Sequence, residues 1–228
     1  MGETELPEEQ KLALQFSKAA TILLSDWPPP EIKTLDALLF HARAAGDEDG
    51  LFELAAELTD GTPARVWWVA INGSDDRRFG GIKPGEAWPG HDNYAFRLKS
   101  AGVNRVRSSQ WALHTREENS AFLELAIEQD WRVVAVLCQP HQAVRTMLGM
   151  VQAMAQRNHW LRVYVITPRS TSWEKEVFGR QGRVLEPRRD HIDDEFGAVL
   201  RYLDSGELGT FEELFEYLLR RERIPWAA

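Results

Sequence analysis

The chain has 228 residues and a formal net charge of −8, and 43% of its residues are hydrophobic, with nine Trp among them. This composition supports a sizeable core, so a wholly disordered chain is excluded. The acidic balance argues against a nucleic-acid partner, which needs a basic face, and against binding to an anionic membrane surface. We therefore expect neither nucleic acid nor membrane as a partner.

Cysteine usage and the N-terminal residues bear on the compartment. Cys138 is the only cysteine, so the chain can form no internal disulfide and no thiolate-rich metal site. Residues 1–16 carry acidic side chains where a signal peptide has basic ones. No segment approaches the roughly 20 apolar residues that a membrane-spanning helix needs. These features predict a cytoplasmic protein.

Most of the chain alternates between predicted strands and helices. Helical spacing of apolar residues predicts a first helix from Pro7 to about Leu24, which a prolyl run then ends. Strands are predicted at residues 35–40, 65–71, 103–107, 132–137 and 161–166. Further helices are predicted at residues 51–58, 93–100 and 143–157, and another is predicted to begin at Thr115. This alternation predicts an α/β fold with a Rossmann-like, three-layer parallel sheet of about five strands.

The pattern changes after Pro168. Three helices are predicted there, at 172–178, 194–203 and 211–221, with a basic loop between the first two. We expect them to form a C-terminal helical cap on the core. The predicted organisation is an N-terminal helix with a Pro-rich turn (1–34), a Rossmann-like core (35–168) and the cap (169–228).

Polar residues follow the predicted strands, at the carboxyl edge where parallel sheets bind ligands beside helix N-termini. These residues are Asn72-Gly73-Ser74 after the second strand, Ser108 after the third, and Gln139-Pro140-His141 after the fourth. Gly73 would allow a close backbone approach. Thr115 and Glu118 have the spacing of a helix capping box.

Three of these motifs resemble the YdcF/SanA/ElyC-like family of bacterial proteins. They are the Asn72-Gly73-Ser74 turn, Glu118-Asn119 at the start of a helix, and Pro140 with Arg145 after the next strand. The similarity covers about residues 35–166. It implies a Rossmann-like sheet with polar residues at its carboxyl edge, and a nucleotide-like or adenosyl-type small ligand. Thr115 and His141 are each offset by one position from the family's spacing.

The candidate ligand-binding residues follow from their position at the carboxyl edge of the predicted sheet and from the family resemblance. They are Asn72, Gly73, Ser74, Ser108, Thr115, Glu118, Asn119, Gln139, Pro140, His141 and Arg145. Asn119 would orient the ligand, and Arg145 would clamp a phosphate or carboxylate with two hydrogen bonds. Glu118 and His141 are the candidates for catalysis. The simpler alternatives are capping for Glu118, a surface ion pair for Arg145, and a hydrogen-bonded loop residue for His141.

Three functions remain open from the sequence. The first is a cytoplasmic protein that binds an anionic, nucleotide-like or adenosyl-type ligand, with hydrolase or transferase activity if it is an enzyme. The second is a non-catalytic interaction module that acts through its C-terminal helices, with a protein partner or a homo-oligomer. The third is a metal-dependent hydrolase. Its ligands would come from His41, His91, His114, Asp75, Asp76 and Asp92. No helical His-x-x-x-His pair is present, so we expect no metal.

Overall fold

The computed structural model describes residues 7–44, 46–61, 65–73, 89–112, 114–179 and 184–224. The helices are α1 (Glu8–Leu24), α2 (Leu51–Asp60), α3 (His91–Ser100), α4 (Thr115–Glu128), α5 (Ala143–Arg157), α6 (His191–Asp204) and α7 (Phe211–Arg220). The strands are β1 (Thr34–Phe40), β2 (Arg65–Ile71), β3 (Val106–Ser108), β4 (Val133–Leu137), β5 (Arg162–Ile166), β6 (Glu176–Gly179) and β7 (Val184–Pro187). Among these residues, no helix is both long and apolar enough to span a membrane.

The central sheet has five parallel strands in the order β3-β2-β1-β4-β5. Strands β4 and β5 are buried along their whole length, as expected for apolar strands covered on both faces. The predicted Rossmann-like sheet is confirmed. The order reverses at β1, so the topological switch point lies between β1 and β4. In open α/β sheets, this crevice is where ligands bind.

Helices cover both faces of the sheet and complete three layers. On one face, buried residues of α1, α4, α5, α6 and α7 form a single apolar cluster with the strands. On the other face, α2 and α3 pack on the strands through residues such as Leu54 and Leu98. The C-terminal helices therefore share the main core with α1, because the apolar sides of α6 and α7 would otherwise face water.

The prediction of a helix at 172–178, followed by a basic loop, is wrong. Strands β6 and β7 form an antiparallel hairpin there, with Val177 opposite Glu186. Along β6 a buried Val177 alternates with the less buried Glu176 and Phe178, which is the period of a strand. Such short segments carry too few residues for periodicity to separate helix from strand.

Candidate functional site

A buried polar network lies where β1 ends against the start of α4. The ring of His41, which follows β1, contacts both residues of the Glu118-Asn119 pair. Its Nδ1 lies 2.8 Å from Glu118 Oε2, and its Nε2 lies 3.1 Å from Asn119 Oδ1. All three side chains are buried. The structure thus brings the Glu118-Asn119 motif together with a histidine that the sequence had suggested only as a metal ligand.

The orientation of Asn119 determines what the His41 ring must donate. Asn119 Nδ2 donates to the carbonyl oxygen of Thr146 at 3.0 Å, which leaves Oδ1 as an acceptor towards His41. The other ring nitrogen of His41 faces the Glu118 carboxylate. Both ring nitrogens of His41 therefore face hydrogen-bond acceptors. Asn119 consequently has a structural task, in holding β1 to α5.

Glu118 and Asn72 connect this network to β2. Glu118 Oε1 accepts from the backbone N–H of Ala42 at 3.2 Å and lies 3.4 Å from Asn72 Nδ2. Asn72 also exchanges hydrogen bonds with the backbone of Ala112, donating at 2.7 Å and accepting at 3.1 Å. Its side chain therefore fixes the loop that leads into α4.

Helix α4 does not begin with the predicted capping box. His114 is its N-cap residue, and no side chain caps the first turn. Thr115 already lies inside the helix, and its hydroxyl accepts from Arg145 Nη1 at 2.9 Å. Glu118 cannot turn back to cap the helix because its carboxylate lies against His41. A capping box does form elsewhere, between Thr210 and Glu213 at the start of α7.

Arg145 has an internal partner in the structure. Its guanidinium donates twice to the carboxylate of Glu195 on α6, at 2.5 and 2.8 Å. Burial opposes ionisation of both groups, but their mutual attraction raises the pKa of Arg145 and lowers the pKa of Glu195. The guanidinium N–H groups of Arg145 that were expected to bind a ligand therefore bind a carboxylate of the chain itself.

A second charged cluster lies at the switch point. The carboxylate of Asp47, in the loop after β1, accepts from Arg43 Nε and from Arg188 Nε, each at 2.8 Å. Arg188 is completely buried and also donates to the carbonyl oxygen of Ser172 at 2.8 Å. Burial by itself would raise the pKa of the Asp47 carboxyl, but the two guanidinium groups hold it below its usual value.

His141 lies beside this cluster and is neutral. Burial, together with the positive charge of Arg43, lowers the pKa of His141 to about 3. Arg43 Nη2 lies 3.4 Å from His141 Nε2, which makes Nε2 the acceptor and places the ring proton on Nδ1. Nδ1 is buried and has no hydrogen-bond partner. Such a weak base is a poor candidate for general base catalysis at neutral pH.

Two further buried polar atoms without partners occur in the same turn. Pro140–Gln142 forms one turn of 3-10 helix between β4 and α5. Gln139 donates from Nε2 to the carbonyl oxygen of Asp47 at 2.7 Å, but its Oε1 accepts nothing. Gln142 Oε1 is also buried without a partner. Buried polar atoms are nearly always satisfied in proteins, so the turn after β4 has unused hydrogen-bonding capacity.

The remaining candidates lie further from the switch point. Position 73 must be a glycine, because a Cβ there would lie only 2.2 Å from the carbonyl oxygen of Ser109. Ser108 is exposed, and its hydroxyl lies 2.6 Å from His91 Nε2. It borders a groove of about 420 Å³ between the end of β3 and α4. Ser74 lies outside the described residues.

The residues suggested for a metal site do not form a cluster in the described chain. His41 contacts Glu118 and Asn119, while His91 lies 3.1 Å from Asp92. Asp75 and Asp76 lie outside the described residues. A different group converges instead: Glu186, His191 and Asp194 place one ligand atom each within 4.8 Å of the others.

An exposed apolar face on α7 would favour the interaction-module hypothesis. Phe211, Leu214 and Tyr217 of this helix are buried in the main core, while Leu219 is 82% exposed. The Tyr217 hydroxyl also donates to the carbonyl oxygen of Leu161 at 3.0 Å. The apolar side of α7 is thus used in folding, and a single exposed leucine does not make a binding face.

Sequence reasoning missed the residues that fill the switch point. They are Arg43, Asp47, Gln142, Arg188 and His191. The acidic loop after the first strand and the RRDHIDD stretch at the start of α6 were visible as unusual charge runs. Nothing in the sequence indicates that they meet, since Asp47 and Arg188 are 141 residues apart.

No protein-family model matches the chain, and no curated protein matches its sequence. The resemblance to the YdcF/SanA/ElyC-like family therefore stays a prediction based on its three motifs.

Proposed function

We propose that the protein binds a small polar ligand of nucleotide-like or adenosyl type at the switch point between β1 and β4. The observation that carries the proposal is the group of three buried polar atoms without partners in the turn after β4: Gln139 Oε1, His141 Nδ1 and Gln142 Oε1. An unsatisfied buried polar atom costs about 1–3 kcal/mol. A ligand that pairs with these atoms would recover that free energy on binding.

The chemistry of the turn favours a ligand with both donors and acceptors. His141 Nδ1 offers an N–H, and the two glutamine oxygens offer acceptors, which suits the edge of a purine or the hydroxyls of a ribose. The ring of Trp173 lies 6.4 Å from the His141 ring and provides a flat apolar surface nearby. Arg43 lies beside the turn but is paired with Asp47, so the turn offers hydrogen bonds rather than an unpaired charge.

In this proposal, several predicted ligand contacts become supporting residues. Asn72, Glu118 and Asn119 hold the loops at the carboxyl edge, and Arg145 ties α5 to α6 through Glu195. The family resemblance adds the expectation of an adenosyl-type ligand. Binding is favoured over hydrolysis or group transfer, because the candidate base His141 is neutral and weak. A cytoplasmic location stays a prediction from the sequence.

The test is a thermal-shift screen of the full chain against adenosine, AMP, ATP, adenosyl compounds and sugar phosphates. A ligand at about 100 times its Kd should stabilise the fold by about 2.7 kcal/mol. For a chain of this size that free energy corresponds to a rise in Tm of roughly 5–10 °C. The variants are Gln142→Leu and His141→Leu, with Gln156→Leu on the exposed end of α5 as the matched control.

The variants separate a binding role from a purely structural one. Gln142→Leu removes an unsatisfied buried atom, so it should keep or raise the Tm of the free protein while abolishing the ligand-induced rise. Gln156→Leu should leave the ligand response intact. A ligand response that survives both Gln142→Leu and His141→Leu would refute the proposed site, and no response to any compound class would refute the ligand type.

A further inference from the structure

We propose that Glu186, His191 and Asp194 bind a divalent transition-metal ion such as Zn²⁺ or Mn²⁺. Their three ligand atoms lie within 4.8 Å of one another, where the β6–β7 hairpin meets the start of α6. Imidazole and carboxylate ligands together suit these ions. This inference does not depend on the proposed ligand at the switch point.

The His191 ring is held in the orientation that a metal ligand requires. Its Nε2 lies 3.3 Å from the carbonyl oxygen of Val177 and donates to it. That hydrogen bond leaves the lone pair on Nδ1, directed at Glu186. Metal-binding histidines commonly donate their other ring nitrogen to a backbone carbonyl in this way. Gly179 lies directly under the ring, since a Cβ there would stand 2.0 Å from His191 Cε1.

The contact between His191 and Glu186 calls for a cation. His191 Nδ1 lies 3.2 Å from Glu186 Oε1, yet this oxygen is buried and has no hydrogen-bond partner. A metal ion between the two atoms would accept a lone pair from each of them, and it would give the buried Glu186 oxygen the partner that it lacks.

The dimensions of the cluster suit an ion after a small adjustment. Ligand bonds of about 2.0–2.1 Å place neighbouring ligand atoms roughly 3.3 Å apart in a tetrahedral zinc site. The pair His191 and Glu186 already has this spacing, at 3.2 Å. Asp194 lies one turn after His191 on α6, with a partly exposed side chain whose ligand atom is within 4.8 Å of the other two.

An ion at this position would have two consequences. It would join β7 to α6, and through the Val177 hydrogen bond also β6, so it would stabilise the hairpin. Three protein ligands would leave at least one coordination position open. The His191 ring centroid lies 5.9 Å from that of His141, so the ion would lie near the switch point.

The test is titration of the full, tag-free chain, stripped with EDTA, with ZnCl₂ and separately with MnCl₂, followed by calorimetry. We expect binding of one ion per chain, weakened at least about tenfold by Asp194→Asn or Glu186→Gln. Asp193→Asn is the matched control, because it removes the same charge from the adjacent, exposed position of α6. It should leave the affinity unchanged.

Three results would overturn the inference. Absence of binding to either ion would show that the cluster is not a metal site. An affinity that neither Asp194→Asn nor Glu186→Gln lowers would place the ion elsewhere on the chain. If Asp193→Asn lowers the affinity as much as the ligand variants do, the ion is attracted by the negative charge of the surface rather than bound by these three residues. Circular dichroism of each metal-free variant separates loss of ligand from loss of fold.

Discussion

Replacement of Gly149 by alanine tests whether Asn119 is fixed by close contact with α5. A Cβ at position 149 would stand 2.7 Å from Asn119 Nδ2, closer than real contacts allow. Glycine inside a helix otherwise costs about 1 kcal/mol relative to alanine, so propensity alone predicts that Gly149→Ala stabilises the protein. The structure predicts the opposite sign.

The magnitude follows from the hydrogen bonds of Asn119. To make room, its amide must leave both the Thr146 carbonyl oxygen and the His41 ring, at 3.0 and 3.1 Å. Each buried group left unpaired costs about 1–3 kcal/mol, against a propensity gain of about 1 kcal/mol. We therefore expect Gly149→Ala to lower the free energy of unfolding by roughly 1–5 kcal/mol.

The assay is a double-mutant cycle by urea denaturation, with Asn119→Ala as the second change. In the Asn119→Ala background the steric conflict is gone, so Gly149→Ala should stabilise by up to about 1 kcal/mol. The reasoning is refuted if Gly149→Ala stabilises the wild-type chain, or if its effect is the same in both backgrounds.

Three further predictions concern the switch point. Arg188→Met removes a buried cation from Asp47 and should cost about 3 kcal/mol in urea denaturation, whereas the exposed Arg189→Met should leave the denaturation midpoint unchanged. The folded-state pKa of His141 is lowered to about 3, so the unfolded chain binds more protons and stability falls as pH drops below about 6.5. Between pH 7.5 and 5 this loss should approach about 2 kcal/mol, and His141→Leu should flatten the measured pH profile; an unchanged profile would contradict a buried neutral ring. Burial raises the pKa of the Cys138 thiol to about 12, so a thiol reagent should react with it only on unfolding, and rapid labelling of the native protein would show that the site is open.

The core elements could be predicted because each carries a local signal. Strand β2 and helix α5 were predicted with the bounds found in the structure, since both have long, clear apolar patterns. The short hairpin of β6 and β7 was missed, because four residues per strand give no reliable period. The residue just before the hairpin contacts a distant part of the chain, since Lys175 pairs with Asp49.

The polar edge was predicted in position but not in the pairing of its side chains. Glu118 and Asn119 do lie at the carboxyl edge, yet they pair with His41, which the motif did not include. Arg145 pairs with Glu195, 50 residues away on α6. A motif states which residue types lie near a strand end, whereas their partners depend on how the helices pack.

The sequence by itself determined the parallel sheet and the edge at which a site could form, because strand burial and strand-to-helix order are properties of neighbouring residues. Only the tertiary structure decided which polar groups have hydrogen-bond or ion-pair partners within the protein and which have none. Asp47 and Arg188 neutralise each other at the switch point, while His141 and Gln142 keep buried atoms without partners. The physical reason is that the energy of a buried polar group depends on the atoms it meets in space, and these come from distant parts of the chain.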